Sequence, residues 1–290
     1  MRPSVRMCAL ALALAIAVVA AVPPARAEMD KPSWTAGDYW IYSSTDVGFG
    51  LSGPGTVRYD VLGPDTVNVG GTDYASYRLR VTPNSNSSTV TFNAGDVWYR
   101  TSDLALVKGT WNVTADVPFF GRVVILVTVT FTPPLGLRWP FAFDRTWTAT
   151  STIATVTKVG GLPPGTNTLS LTDTFVVLAA ATVTVPAGTF DTTPVRANQS
   201  GGGGSTIGYW SPQAGNTARE QSYDNSGNPS KSQELTQYRY AGSGFLGLPI
   251  IAWLLIFLVV FLAVIGFVFL RRQRRRGVYV PPTAPPQMPQ

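Results

Sequence analysis

The 290-residue chain has no histidine and one cysteine, Cys8. The lack of histidine excludes His-dependent catalytic triads and, with cysteine so scarce, the usual zinc sites. Cys8 falls in a segment with the marks of a secretory signal, and not at a lipobox position. There Arg2 and Arg6 precede an apolar stretch from Ala9 to Val22, and Ala25-Arg26-Ala27 has the form of a cleavage site. Cleavage after Ala27 leaves an exported chain without cysteine, so no disulfide framework holds it. Helical periodicity is missing too: before residue 241 no stretch keeps an apolar 3.6-residue period for three turns. Positive charge is scarce where it would matter. Of the 22 Lys and Arg, three lie in the signal segment and five at 271–276, which leaves fourteen against all sixteen Asp and Glu. A region with net charge −2 offers no basic surface to a nucleic acid, and no nucleic-acid partner is expected.

One long hydrophobic run is present. Pro249 to Leu270 is uncharged for 22 residues, and Arg271, Arg272, Arg274, Arg275 and Arg276 follow directly. About 20 apolar residues span a bilayer core as a helix, and the arginines act as a stop-transfer signal held on the cytoplasmic side. The expected organisation is a signal peptide (1–27), a first β repeat (28–120), a second β repeat (121–240), a juxtamembrane linker (241–248), a transmembrane helix (249–270) and a basic, Pro-rich cytoplasmic tail (271–290). The protein is thus expected in the cell membrane as a single-pass protein, with its bulk outside the cytoplasm and the lipid bilayer as one partner. Ala241-Gly242-Ser243-Gly244 reaches at most about 14 Å when extended, which would keep the β region near the headgroups.

From 28 to 240 the chain reads as β. Val57–Leu62, Tyr77–Val81, Thr89–Tyr99, Trp147–Ile153, Leu169–Leu178 and Thr182–Val185 alternate apolar and polar residues between turns such as Gly63-Pro64-Asp65 and Pro163-Pro164-Gly165. Tyr59 to Val69 aligns without a gap on Phe175 to Val185, with five of eleven positions identical, and Arg80 and Arg196 follow at the same offset. A period near 110 residues suits a duplicated domain, the competing explanation being chance likeness between Val- and Thr-rich strands. The fold class expected is all-β: antiparallel sheets in two duplicated curved half-barrel or sandwich-like units, plus the C-terminal transmembrane helix.

The second copy contains Val183-Thr184-Val185-Pro186-Ala187-Gly188-Thr189-Phe190. This phrase resembles the V-x-V-P-A-G-T-F turn of a family of uncharacterised exported β-domains, similar in turn to the half-barrel of the lipoprotein-localisation carriers. The first copy departs from it, with Gly70-Gly71 in place of the proline. The resemblance covers about a quarter of the chain. It implies a fold, with acyl-chain binding on a concave face as an analogy.

Individual residues point the same way. Strict alternation puts Asp173 on one face with Leu169, Leu171, Phe175 and Val177, where burial would raise its pKa; a bulge or an inward charge guarding an edge strand is the blander explanation. The glycine run 201–204 lacks the lysine of a phosphate loop and reads as a flexible tip. Trp98, Phe119, Phe120, Trp147 and Phe175 are the candidate lining residues for an apolar ligand, the alternative being that such rings are core. Asn86, Asn112 and Asn198 head glycosylation sequons. No paired acid–base set or metal cluster is apparent, so neither a cofactor nor an enzyme is expected. The function expected is a non-catalytic binding module for an apolar or lipid ligand or a membrane protein partner. The alternative is a structural or adhesive envelope protein.

Overall fold

The computed structural model describes residues 28–46, 53–85, 90–117, 121–200 and 203–243. Seven strands form from the first half of the chain: β1 (Tyr39–Ser44), β2 (Gly55–Val69), β3 (Thr72–Ser85), β4 (Val90–Phe92), β5 (Gly95–Arg100), β6 (Leu106–Val117) and β7 (Gly121–Thr132). Seven follow: β8 (Thr146–Val159), β9 (Gly165–Val177), β10 (Ala181–Val185), β11 (Gly188–Gln199), β12 (Ser205–Ser211), β13 (Asn216–Tyr223) and β14 (Pro229–Arg239). Thr, Val and aromatic residues fill them, and glycines mark the turns between. Gly70 and Gly71 have φ of 60° and 81°, the left-handed conformation that a tight β2–β3 hairpin needs.

The hydrogen-bonded order is β11-β12-β13-β14-β1-β2-β3-β5-β6-β7-β8-β9, and β9 pairs back onto β11. These twelve strands close into one antiparallel barrel. Closure depends on a division of labour along β11. Its first half pairs with β10, from Val185↔Gly188 to Ala181↔Thr192, and its second half with β9, from Val195↔Val177 to Gln199↔Asp173. β4 lies off the ring and pairs with β6.

This corrects the expected fold class. The strands do not make two separate half-barrel or sandwich-like units. β7 pairs with β8 from Ile125↔Val159 to Thr132↔Thr152, and β1 pairs with β14 from Tyr39↔Arg239 to Ser44↔Gln233, so both junctions between the halves are continuous sheet. The reason is elementary: an open half-barrel would leave two unpaired edges, and each edge here satisfies the other half. The expected helix falls at 249–270, outside the described residues. Among the described residues no helix is long and apolar enough to cross a membrane.

The two halves also show matching registers. Val69↔Thr72, Val67↔Tyr74 and Tyr59↔Val81 in β2–β3 have as counterparts Val185↔Gly188 and Val183↔Phe190 in β10–β11 and Phe175↔Ala197 in β9–β11. Both series contain an interruption. β2 has a bulge between Val61 and Gly63, whereas the second half breaks its strand at 178–180. The V-x-V-P-A-G-T-F phrase builds the β10–β11 hairpin, with Gly188 at φ 135° and Phe190 returned to the core at 4 % exposure.

The main core contains Trp34, Trp40, Tyr42, Val57, Val61, Leu79, Val81, Val97 and Leu235. The indole N–H groups of Trp34 and Trp40 donate to the carbonyls of Gly215 and Ala214 at 2.8 and 2.7 Å, so each buried ring keeps its polar atom satisfied. A second cluster joins Met29, Phe141, Trp147, Phe175, Val177 and Val195.

Candidate functional site in the barrel interior

Alternation along the strands decides which side chains point inward. In β2, Val57, Tyr59 and Val61 face the core, while Arg58 and Asp60 face out and pair with each other at 2.6 Å. Arg78 and Arg80, on the outer face of β3, both reach Asp96, at 2.6 and 2.9 Å. Burial alone would push the Asp96 carboxyl up, but the two guanidinium hydrogen bonds outweigh it and hold the group below its ordinary value. These five charged groups are thus spent in outward pairs, and the inward positions Val57, Tyr59 and Val61 between them are apolar or neutral.

Inside, two chambers of about 340 Å³ each share Tyr59, Tyr99, Leu106 and Phe131 in their walls. The first chamber is wholly apolar apart from the shared tyrosines: Phe92, Val97, Trp111, Val113, Val127 and Val129 complete it. Trp111 lies flat against the wall because Gly95 and Gly109 carry no side chain; a Cβ at either position would collide with its ring. The second chamber adjoins it on the side of β9, β13 and β14, and there polar groups appear: Asp173, Asn216, Glu220 and Gln233.

Glu220 is the unusual member. It is half-buried at the border of the chamber, and burial pushes its pKa up. Among the described residues no hydrogen bond or ion pair is made by this carboxyl, and no lysine or arginine lines either chamber. Its charge is felt by Tyr42, Tyr59 and Tyr99. Burial, followed by the Tyr99 phenol and then the Glu220 carboxylate, raises Tyr59 well above the ordinary range, and burial followed by Glu220 raises Tyr99 to about 12. Tyr42 is also raised, by burial first, although its hydroxyl donates to the Thr217 carbonyl at 2.9 Å. All three phenols stay protonated donors at neutral pH.

Asp173 lines the same chamber, and burial raises its pKa. It is neither bulged nor at an edge: β9 pairs regularly on both sides, Asp173 with Ala149 and with Gln199. The inward face of β9 grades from buried to open, from Val177 and Phe175 through Asp173 to Leu169, which is 57 % exposed. The interior therefore opens to solvent toward the β8–β9 turn.

The five expected lining residues are placed differently from one another. Phe175 borders the second chamber. Trp147 stands behind it in a stack, its ring centroid 5.0 Å from Phe175 and tilted by 10°, with its N–H donated to the Gly136 carbonyl. Trp98 is absent from both chambers. It packs with Val67, Val69, Val107 and Tyr74, donates to Asp65 at 2.9 Å, and lies under Arg78 and Lys108. Its neighbour Tyr99 points into the interior instead. Phe119 and Phe120 fall outside the described residues, as do Arg271, Arg272, Arg274, Arg275, Arg276 and the sequon Asn86. Asn112 in β6 and Asn198 in β11 are exposed.

Sequence reasoning missed Tyr59, Tyr99 and Glu220. Tyr59 was detectable, being in phase with Val57 and Val61. Glu220 was not, because its strand, Asn-Thr-Ala-Arg-Glu-Gln-Ser-Tyr, has no apolar alternation to mark an inward face. Among the described residues no group of three or more His, Cys, Asp or Glu is placed to hold a metal ion.

No protein-family model matches the chain, and no curated protein matches it. Two solved structures are similar at low identity. One, described as a lipoprotein from Parabacteroides distasonis ATCC 8503, is 14 % identical over 73 % of this chain and 99 % of its own, with a TM-score of 0.38. The other, described as an exported protein with a YmcC-like fold from Bacteroides fragilis NCTC 9343, is 12 % identical over 73 % of this chain and 100 % of its own, with a TM-score of 0.37. Likeness at this level carries no argument about function.

Proposed function

We propose that the protein is an exported, non-catalytic binding module that holds an apolar ligand inside its barrel. The observation that carries this reading is the pair of adjoining chambers walled by Phe92, Val97, Leu106, Val113, Val127, Val129 and Phe131. Each chamber, at about 340 Å³, falls within the usual ligand range of about 300–1,000 Å³ and has the mostly apolar wall typical of ligand clefts. A spacer or adhesin has no use for an apolar cleft of this size. The signal segment at 1–27 supports export, and the uncharged run at 249–270 with its five arginines supports a single-pass membrane attachment with the tail inside. The absence of histidine and of mature cysteine supports a binder over an enzyme.

The test is uptake of a neutral fluorescent dye, N-phenyl-1-naphthylamine, by the purified protein. Wild type is expected to bind with an emission gain. Val127→Trp, which fills the apolar chamber, is expected to lose at least about nine-tenths of that gain while keeping a cooperative melt, since overpacking costs about 1–3 kcal/mol. If wild type takes up no dye, the ligand reading falls and the structural or adhesive one replaces it.

A further inference from the structure

The second chamber says what kind of polar end the ligand has. We propose that the interior receives a single-chain amphiphile with a protonated amine head, the head at Glu220 and the chain in the apolar chamber beyond Tyr59 and Tyr99. This rests on the interior being a ligand chamber, and it adds the chemistry of the head.

The argument begins with an imbalance. Glu220 and Asp173 both border the chamber on the side of β9 and β13, and no cationic side chain lines it. Outside the barrel the same chain pairs its acids routinely: Asp60 with Arg58, Asp96 with Arg78 and Arg80, Asp103 with Arg100, Glu234 with Arg219. Glu234 is one residue from Gln233, the cross-strand neighbour of Glu220, so an arginine one register position away serves the outer face and leaves the inner carboxyl alone. A half-buried carboxyl without a partner loses part of its hydration with nothing in return, whereas glutamine or leucine would fit the same wall.

The shape completes the argument. A fatty carboxylate or phosphate head would meet two acids and no counter-ion, so anionic lipids are disfavoured. A neutral alcohol could donate one hydrogen bond. An ammonium carries three donors, enough for the Glu220 carboxylate and the amide oxygen of its cross-strand neighbour Gln233. Tyr59 and Tyr99 stand where the two chambers meet, and aromatic rings suit the passage from a cationic head to an alkyl chain. The Phe92–Trp111 end then offers only hydrocarbon contact.

The experiment displaces bound N-phenyl-1-naphthylamine from the full chain at pH 7 with dodecylamine, dodecanol and dodecanoate. The amine is expected to bind roughly tenfold or more tightly than the alcohol, a charge-assisted hydrogen bond being about twice as strong as a neutral one, and the carboxylate weakest. In Glu220→Gln the ratio of amine to alcohol affinity is expected to fall to about one. An amine no tighter than the alcohol in wild type, a measurement that needs no variant to fold, overturns the head-group assignment and leaves the chamber reading standing. A ratio that survives in Glu220→Gln overturns the role of that residue. Failure of wild type to take up dye overturns the chamber reading itself.

Discussion

Glu220 carries a stability consequence as well as a binding one. Burial raises its folded-state pKa above the ordinary 4.5, so the folded protein holds this proton more tightly than the unfolded chain does. Below that ordinary value both states are protonated and the contribution is fully present. As pH rises, the unfolded chain ionises first, binds fewer protons, and gains on the folded state. The loss is complete once pH passes the folded pKa. The other titratable groups of the chamber give no relief: Asp173 is raised in the same sense, and Tyr42, Tyr59 and Tyr99 remain neutral. Glu220→Gln should therefore melt a few degrees higher than wild type at pH 7, with the gap closing as pH falls toward 4.5. Paired thermal melts across pH 4 to 8 check this, and an equal or lower melting point at pH 7 would show that the carboxyl is stabilised by something other than burial allows.

At the scale of elements, β11 does two jobs that separate cleanly. Its first half forms the hairpin with β10 and sends Phe190 into the core against Tyr238, 5.6 Å between ring centroids. Its second half closes the barrel on β9. Phe190→Ala should cost about 3–5 kcal/mol in chemical denaturation, the usual penalty for deleting a buried ring. Dye uptake well below the melting point should persist, because the closing ladder and both chamber walls are untouched; loss of uptake in a still-folded variant would tie the hairpin to the chamber. Part of this was legible in the sequence. The phrase around Pro186 marks the hairpin, and the alternation Leu169, Leu171, Asp173, Phe175 marks an inward face whose carboxyl does border the chamber. The choice between Trp98 and Tyr99 was not legible. Adjacent rings take opposite faces, and which one turns inward depends on pairing with β3 and on the irregularity between Trp98 and Tyr99 in the β5–β6 ladder. Closure was equally hidden, since nothing local in β9 or β11 announces that Val177 will meet Val195.

The whole barrel is a ring of twelve strands in which each half of the chain supplies six consecutive members. β1-β2-β3-β5-β6-β7 is one run and β8-β9-β11-β12-β13-β14 the other, and they meet at the β7–β8 and β14–β1 ladders. The second seam is reinforced by Asp38, which is 2 % exposed and accepts hydrogen bonds from the Thr35 and Ala241 amides at 2.8 Å each. Neither half has a closed interior of its own. The second chamber draws wall residues from both, with Tyr42, Tyr59 and Tyr99 from one and Asp173, Phe175 and Glu220 from the other. Separated halves would each expose two long strand edges and the apolar inner face between them, the conditions under which sheets aggregate or stay unfolded. A fragment of residues 28–133 and one of 134–243 should therefore each fail to give dispersed amide resonances alone. Co-refolded at equal concentration, they should form a one-to-one complex that regains cooperative melting and dye uptake together, because the second chamber draws its wall from both halves and the first adjoins it. Two halves that fold and melt independently, with no gain on mixing, would mean that the ladders β7–β8 and β14–β1 are dispensable and that the ring is not the unit of folding.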